Sequence, residues 1–150
     1  SHMTPSRVKE IIKTAAEASG ATFFYGKTID SAINIITANT TAGYCFMDSG
    51  TSTIIEDTDS FEMRFTLSFL KHDSLDSASS IESNQSTGDS REDIMTDMYD
   101  LWKTVKAYLI DNNSDEIVLL KDDGFFIQHG YDVTSGYQIR LTIYSKSECL

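Results

Sequence analysis

The thiols and imidazoles, the side chains most often used as nucleophile, general base or soft-metal ligand, are few: Cys45, Cys149, His72 and His129. His2 is set aside because Ser1-His2-Met3 reads as the scar of a cleaved tag. A nucleophile needs a base beside it, and a zinc set needs ligands at paired spacing. None of the four has such a neighbour in sequence. Cys45 with His129 would form a dyad only if the fold joined distant segments, and the plainer reading is a core thiol and a surface imidazole. His72 with Asp73 and Asp76 would serve a metal only against the plainer reading of a solvated loop. The expectation is therefore no catalytic residue, no metal and no cofactor.

Carboxylates are the commoner chemistry. Asp48, Glu56, Asp57 and Asp59 gather in one stretch, and Asp111, Asp115, Glu116, Asp122 and Asp123 in another. Neither follows a calcium loop, which needs a central Gly and a distal Glu. Gly124, Gly130 and Gly136 are spaced as turn residues, not as a phosphate-binding loop. Arg64 and Arg140 fall on the polar faces of two strands, where a cross-strand ion pair with Glu62 is the default and a partner contact the sharper alternative.

Twelve basic against 23 acidic residues give a formal net charge of -11. Such a surface repels a phosphate backbone, which is bound mainly through Lys and Arg, so sequence-specific nucleic-acid binding is not expected. No apolar run approaches the roughly 18–20 residues that span a bilayer, and no basic-then-apolar leader opens the chain. The reading is an intracellular protein with two free thiols rather than a disulfide framework. With 40% hydrophobic residues, 8 Phe and 7 Tyr, residues 4–150 are expected to form one folded domain.

The elements that would position these groups follow from periodicity. Thr4-Pro5 suits a helix start and Gly20 a helix end. Between them Val8, Ile11, Ile12, Ala15 and Ala18 form an apolar stripe. Residues 21–25 suggest a brief extended segment or turn, and residues 28–37 a second helix through Ile29, Ala32, Ile33 and Ile36. Tyr44-Cys45-Phe46-Met47, the turn Asp48-Ser49-Gly50 and the β-branched residues 51–56 read as a hairpin. Phe61, Met63, Phe65, Leu67 and Phe69 alternate with polar residues, which is a strand with one buried face.

Residues 73–89 are polar and read as a mobile loop, dispensable for folding yet needed for assembly. Ser90 then caps a long helix over residues 93–110, with Ile94, Met98, Leu101, Val105 and Tyr108 as its stripe, broadened by Met95, Trp102 and Leu109. Asp111-Asn112-Asn113 is expected to stop it. Residues 117–120, 125–128 and 137–144 read as closing strands. The sum is an α+β fold, an antiparallel sheet with helices gathered on one side.

This pattern resembles the small tail-terminator or tail-completion proteins of long-tailed bacteriophages and prophages. The resemblance is carried by the amphipathic opening helix, the run Phe61-Glu62-Met63-Arg64-Phe65-Thr66-Leu67-Ser68-Phe69-Leu70 and the polar loop. The long helix and the ending Tyr131-Asp132-Val133-Thr134-Ser135-Gly136-Tyr137 complete it. It implies a ring, usually of six subunits, that caps the tail tube and meets the head connector without a cofactor. The implied partners are further copies of the chain, the tube protein and the connector. The implied location is the virion tail, reached from the host cytoplasm. Arg64, Arg140, Asp73, Asp76, Glu82 and Asp89 are the candidate partner contacts. A rival reading is an acidic adaptor or nucleic-acid mimic, which needs its charge concentrated on one face. A third is an unfamiliar small enzyme, which needs a pocket with convergent ionisable groups.

Overall fold

The computed structural model describes residues 3–26, 42–55, 59–72, 91–129 and 134–146, with the backbone alone at positions 55, 72, 91, 119, 128, 129 and 146. The expected helix at 28–37, the loop at 73–89 and the Ser90 cap lie outside them.

Helix α1 (Pro5–Ala18) starts as its sequence dictates. The Thr4 hydroxyl accepts the Arg7 N–H at 3.1 Å, and Pro5 takes a position whose missing N–H costs nothing. Its buried face is Val8, Ile11, Ile12, Ala15 and Ala16. The expected Ala18 is exposed, because the stripe continues from Ile12 to Ala16 at a spacing of four. Met3, read above as part of a tag scar, is buried in the same core.

One mixed sheet follows, in the order β1-β2-β4-β6-β5, with β3 also paired to β4. The strands are β1 (Ala21–Tyr25), β2 (Gly43–Met47), β3 (Thr51–Ile55), β4 (Ser60–His72), β5 (Leu119–His129) and β6 (Thr134–Lys146). Between β4 and β5 lies α2 (Arg91–Asn113). The α+β architecture with helices on one side is as the periodicity suggests. The sheet is not wholly antiparallel, since β1 and β2 run parallel. Parallel neighbours need a long crossover rather than a tight turn, and the interval between Tyr25 and Gly43 is long enough for one.

The expected hairpin is absent. β2 and β3 do not pair with each other; both lie along the same side of β4, β2 opposite Leu67 to Leu70 and β3 opposite Ser60 to Arg64. Asp48 makes the jog between them. Its N–H donates to the Thr66 carbonyl at 3.1 Å and its Oδ1 accepts the Thr66 N–H at 2.9 Å. Gly50, at φ +61°, passes so close to β4 that a side chain there would meet the Arg64 carbonyl and the Phe65 Cβ.

One other expectation is corrected at the far edge. β5 is one strand, not two, and it runs through Lys121-Asp122-Asp123-Gly124 in unbroken register with β6. The polar residues make no turn because each has a place: Asp122 accepts from Trp102 Nε1 (3.3 Å) and Lys106 Nζ (3.1 Å), and Asp123 lies opposite Arg140. Helix α2 ends at Asn113, within the stretch expected to stop it. Asn112 Nδ2 donates back to the Tyr108 carbonyl, and the Asn113 carbonyl takes the N–H groups of Glu116 and Ile117.

The core lies between the helices and one face of the sheet. Phe61, Met63, Phe65, Leu67 and Phe69 of β4 and Ile139, Leu141 and Ile143 of β6 pack there against α1 and against Ile94, Met98, Leu101, Trp102, Val105 and Leu109 of α2. Trp102 sits at the centre, its ring tilted against Phe69 at 5.9 Å, while Tyr108 is only half-buried. Each such side chain contributes about 1.5–3 kcal/mol on burial. Met98 is 1% exposed and faces Gly43. Met98→Asp is therefore expected to cost about 3 kcal/mol or more, because the carboxylate has no partner there. Thermal melting checks this; a variant that melts with the parent would place the stripe outside the core.

Candidate functional site

Cys45 lies in the interior of β2 and is fully buried, and burial pushes its thiol well above the ordinary range. A thiol that holds its proton is a poor nucleophile. His72 and His129 are the last residues of β4 and β5, so His72 ends a strand rather than following one. The register sets their backbones on either side of Thr134. Cys149, Glu56, Asp57, Asp73, Asp76, Glu82 and Asp89 lie outside the described residues. Among the described residues no three His, Cys, Asp or Glu side chains gather as a metal set, and no helix is long and apolar enough to cross a membrane.

Several acids are explained by structure. Asp48 and Asp122 serve the jog and β5 as above, and Glu116 binds Arg7 through two hydrogen bonds, Nη2 to Oε1 at 2.7 Å and Nε to Oε2 at 2.9 Å. That bidentate pair ties α1 to the turn before β5. The bond from Arg7 holds the Glu116 carboxyl below its usual range, and the same bond raises the Arg7 guanidinium.

Arg64 and Arg140 come together on the sheet face away from the helices. They sit on adjacent strands one row apart, since Arg64 is opposite Thr142 and Arg140 opposite Thr66. Arg64 Nε donates to Glu62 Oε1 at 3.0 Å, but Glu62 is two residues along the same strand. The pair thus runs along β4, not across strands as expected, because same-face residues of one strand are already neighbours. The Arg64 side chain is 71% exposed. The Arg140 guanidinium lies 5.7 Å from the Phe125 ring centroid, within cation–π range. Glu62, Arg64, Lys121, Asp123, Phe125 and Arg140 share this face, an alternation of charges beside one aromatic ring.

At its other end the same face is closed by Tyr44, Phe46 and Leu70, with Phe24 stacked on Phe46 at 5.3 Å. On the helix side, Phe126, Tyr99 and Tyr137 pack edge to face at 4.9–6.0 Å. Gly124 admits this arrangement, because a Cβ there would strike the Tyr137 ring. Burial, with the charges nearby, raises the Tyr137 hydroxyl.

The groups that sequence reasoning missed are apolar. Ile54, Val118 and Phe126 are 67%, 62% and 52% exposed, and Phe125 is also exposed. A signal for part of this existed: consecutive Phe125 and Phe126 must point to opposite faces of a strand, so a sheet with helices on one side cannot bury both in the same core.

The Arg7–Glu116 pair generates a pH prediction. Its side chains are 47% and 32% exposed, so screening limits it to about 1 kcal/mol or less. Because the folded Glu116 value is depressed, its contribution is present above the ordinary Glu value of about 4.3 and is lost as pH falls through the folded value. Urea unfolding of Arg7→Ala and the parent is expected to show a small gap at pH 7 that closes under acid; a gap constant with pH would contradict the pairing.

Against known proteins, this chain matches no family model and no curated protein.

Proposed function

We propose that the chain is a structural subunit of a bacteriophage or prophage tail, which caps the tail tube as a ring and joins it to the head connector. The observation that carries the reading is where the exposed apolar side chains lie. Ile54 on β3, Val118 just before β5, and Phe125 and Phe126 on β5 mark the two sides of the sheet. That placement supports docking between proteins over a concave small-molecule site. The net charge of -11 is compatible with a ring that DNA must cross, because a negative wall repels the duplex and lets it pass.

One observation favours the adaptor reading. Glu92, Asp93, Asp97, Asp100, Asp111 and Asp115 are all exposed, along α2 and the turn after it. The acids of a mimic would be concentrated in this way. Deleting the gene from its phage or prophage separates the two. A tail-capping role predicts tubes of uncontrolled length without heads, restored both by the native chain and by Asp97→Asn/Asp100→Asn. Normal particles from the deletion would contradict it, and rescue lost with the two Asn substitutions would favour the adaptor.

A further inference from the structure

We propose that two copies of this chain pair through the outer edge of β5, antiparallel about a twofold axis at Asp122, so that their two sheets become one. The inference goes beyond the tail reading and does not rest on it. β5 ends the strand order, and among the described residues it pairs with β6 alone. Its eleven residues therefore leave one row of backbone N–H and C=O groups with no described strand beside them. Of the six large apolar side chains exposed among the described residues, four border this edge: Phe125 and Phe126 on β5, Val118 just before it, and Ile110 on α2. Ile110 lies one turn beyond Lys106, whose ammonium reaches Asp122, so it shares the flank of α2 that overlooks β5. Apolar surface gathered along one open edge marks an interface.

Symmetry and charge select the register. The twofold axis must fall on a residue paired with its own copy, because an axis between two residues would set opposite sheet faces together. At Lys121 or Asp123 it would bring like charges together, and at Gly124 it would set Asp122 against Phe126 and Asp123 against Phe125. Only at Asp122 does Lys121 stand opposite Asp123 of the second copy, and it does so twice. Asp123 already lies opposite Arg140 within its own sheet, so each row crosses the seam as Arg140, Asp123 and then Lys121 of the second copy, alternating in sign. Continued to Val118, the same register brings Val118 of one copy opposite Phe126 of the other, and both are otherwise left in water. The Asp122 carboxylates at the axis arrive neutralised, since Lys106 Nζ stands 3.1 and 3.3 Å from the two oxygens of each.

Among the described residues the column outside β5 is clear for a strand of this length. The chain enters β5 from over the sheet, not from its outer side. The Glu116 carboxylate binds Arg7 of α1, the Glu116 carbonyl accepts from Ser145 Oγ at 2.6 Å, and the Val118 N–H donates to the Tyr144 carbonyl at 2.8 Å. The end of the second β5, which runs past Val118, therefore meets no described strand. One edge paired with itself is fully used, so the assembly stops at two copies.

Sedimentation of the full-length chain over a concentration series tests the seam. The parent is expected to pass from monomer to dimer as concentration rises. Lys121→Glu alone and Asp123→Lys alone are each expected to weaken the dimer by about tenfold or more, since both contacts change sign together. Mixing the two variants returns opposite signs to both contacts. A mixed dimer tighter than either variant's own is expected, which also shows that both variants fold. A parent that is monomeric at every concentration would overturn the proposal. So would a dimer that neither reversal weakens, or a pair of variants that fail to rescue each other on mixing. A parent that sediments as a closed hexamer would overturn it too, and would leave the tail reading standing.

Discussion

Every described strand but β1 and β5 takes its place directly from β4. Its thirteen residues alternate so that Phe61, Met63, Phe65, Leu67 and Phe69 face the helices while Glu62, Arg64, Thr66 and Ser68 face away. One face supplies the apolar area that holds α1 and α2, and a slip of one residue would turn all five side chains to the wrong side. β6 pairs with β4 along its whole length, and Gln138 Nε2 donating to Ser68 Oγ at 2.9 Å adds a bond on the polar face. On the opposite side β4 outruns any one partner. Two short strands, β2 and β3, fill that side, and the Asp48–Thr66 hydrogen bonds satisfy the backbone where the chain steps from one to the other.

This division explains what could be read in advance. Elements whose signal is local and periodic were legible: the capped α1, the alternating β4, the stripe of α2 and the last strand. Pairing was not. Asp48-Ser49-Gly50 has the composition of a hairpin turn and of a strand-to-strand jog alike, and only the length of β4 decides between them. The break assumed at Asp122-Asp123-Gly124 failed because the partners that satisfy Asp122, namely Trp102 and Lys106, come from a helix that precedes it. The stop at Asp111-Asn112-Asn113 was legible too, because Asn side chains compete for backbone groups: Asn112 Nδ2 donates to the Tyr108 carbonyl, and the helix ends at Asn113. The parallel β1 carries no signal of its own, since direction is not written in a five-residue apolar run.

Of the candidate contact residues, Arg64 and Arg140 were placed on polar strand faces, and they share one face of the sheet. Lys121, Asp123, Glu62 and Arg64 alternate in sign near the two sides of that face, so a strongly acidic chain has a region of local charge balance there. The apolar side chains at these margins are costly to leave in water and are the natural seats of an interface.

Hydrogen exchange in dilute protein tests the central place of β4 most directly. Amides of β4 and β6, paired on both sides, are expected to exchange slowly. Those of β3 and β5, each paired on one side among the described residues, are expected to exchange faster. Exchange in β4 as fast as in β3 would contradict the claim that the rest of the sheet depends on β4.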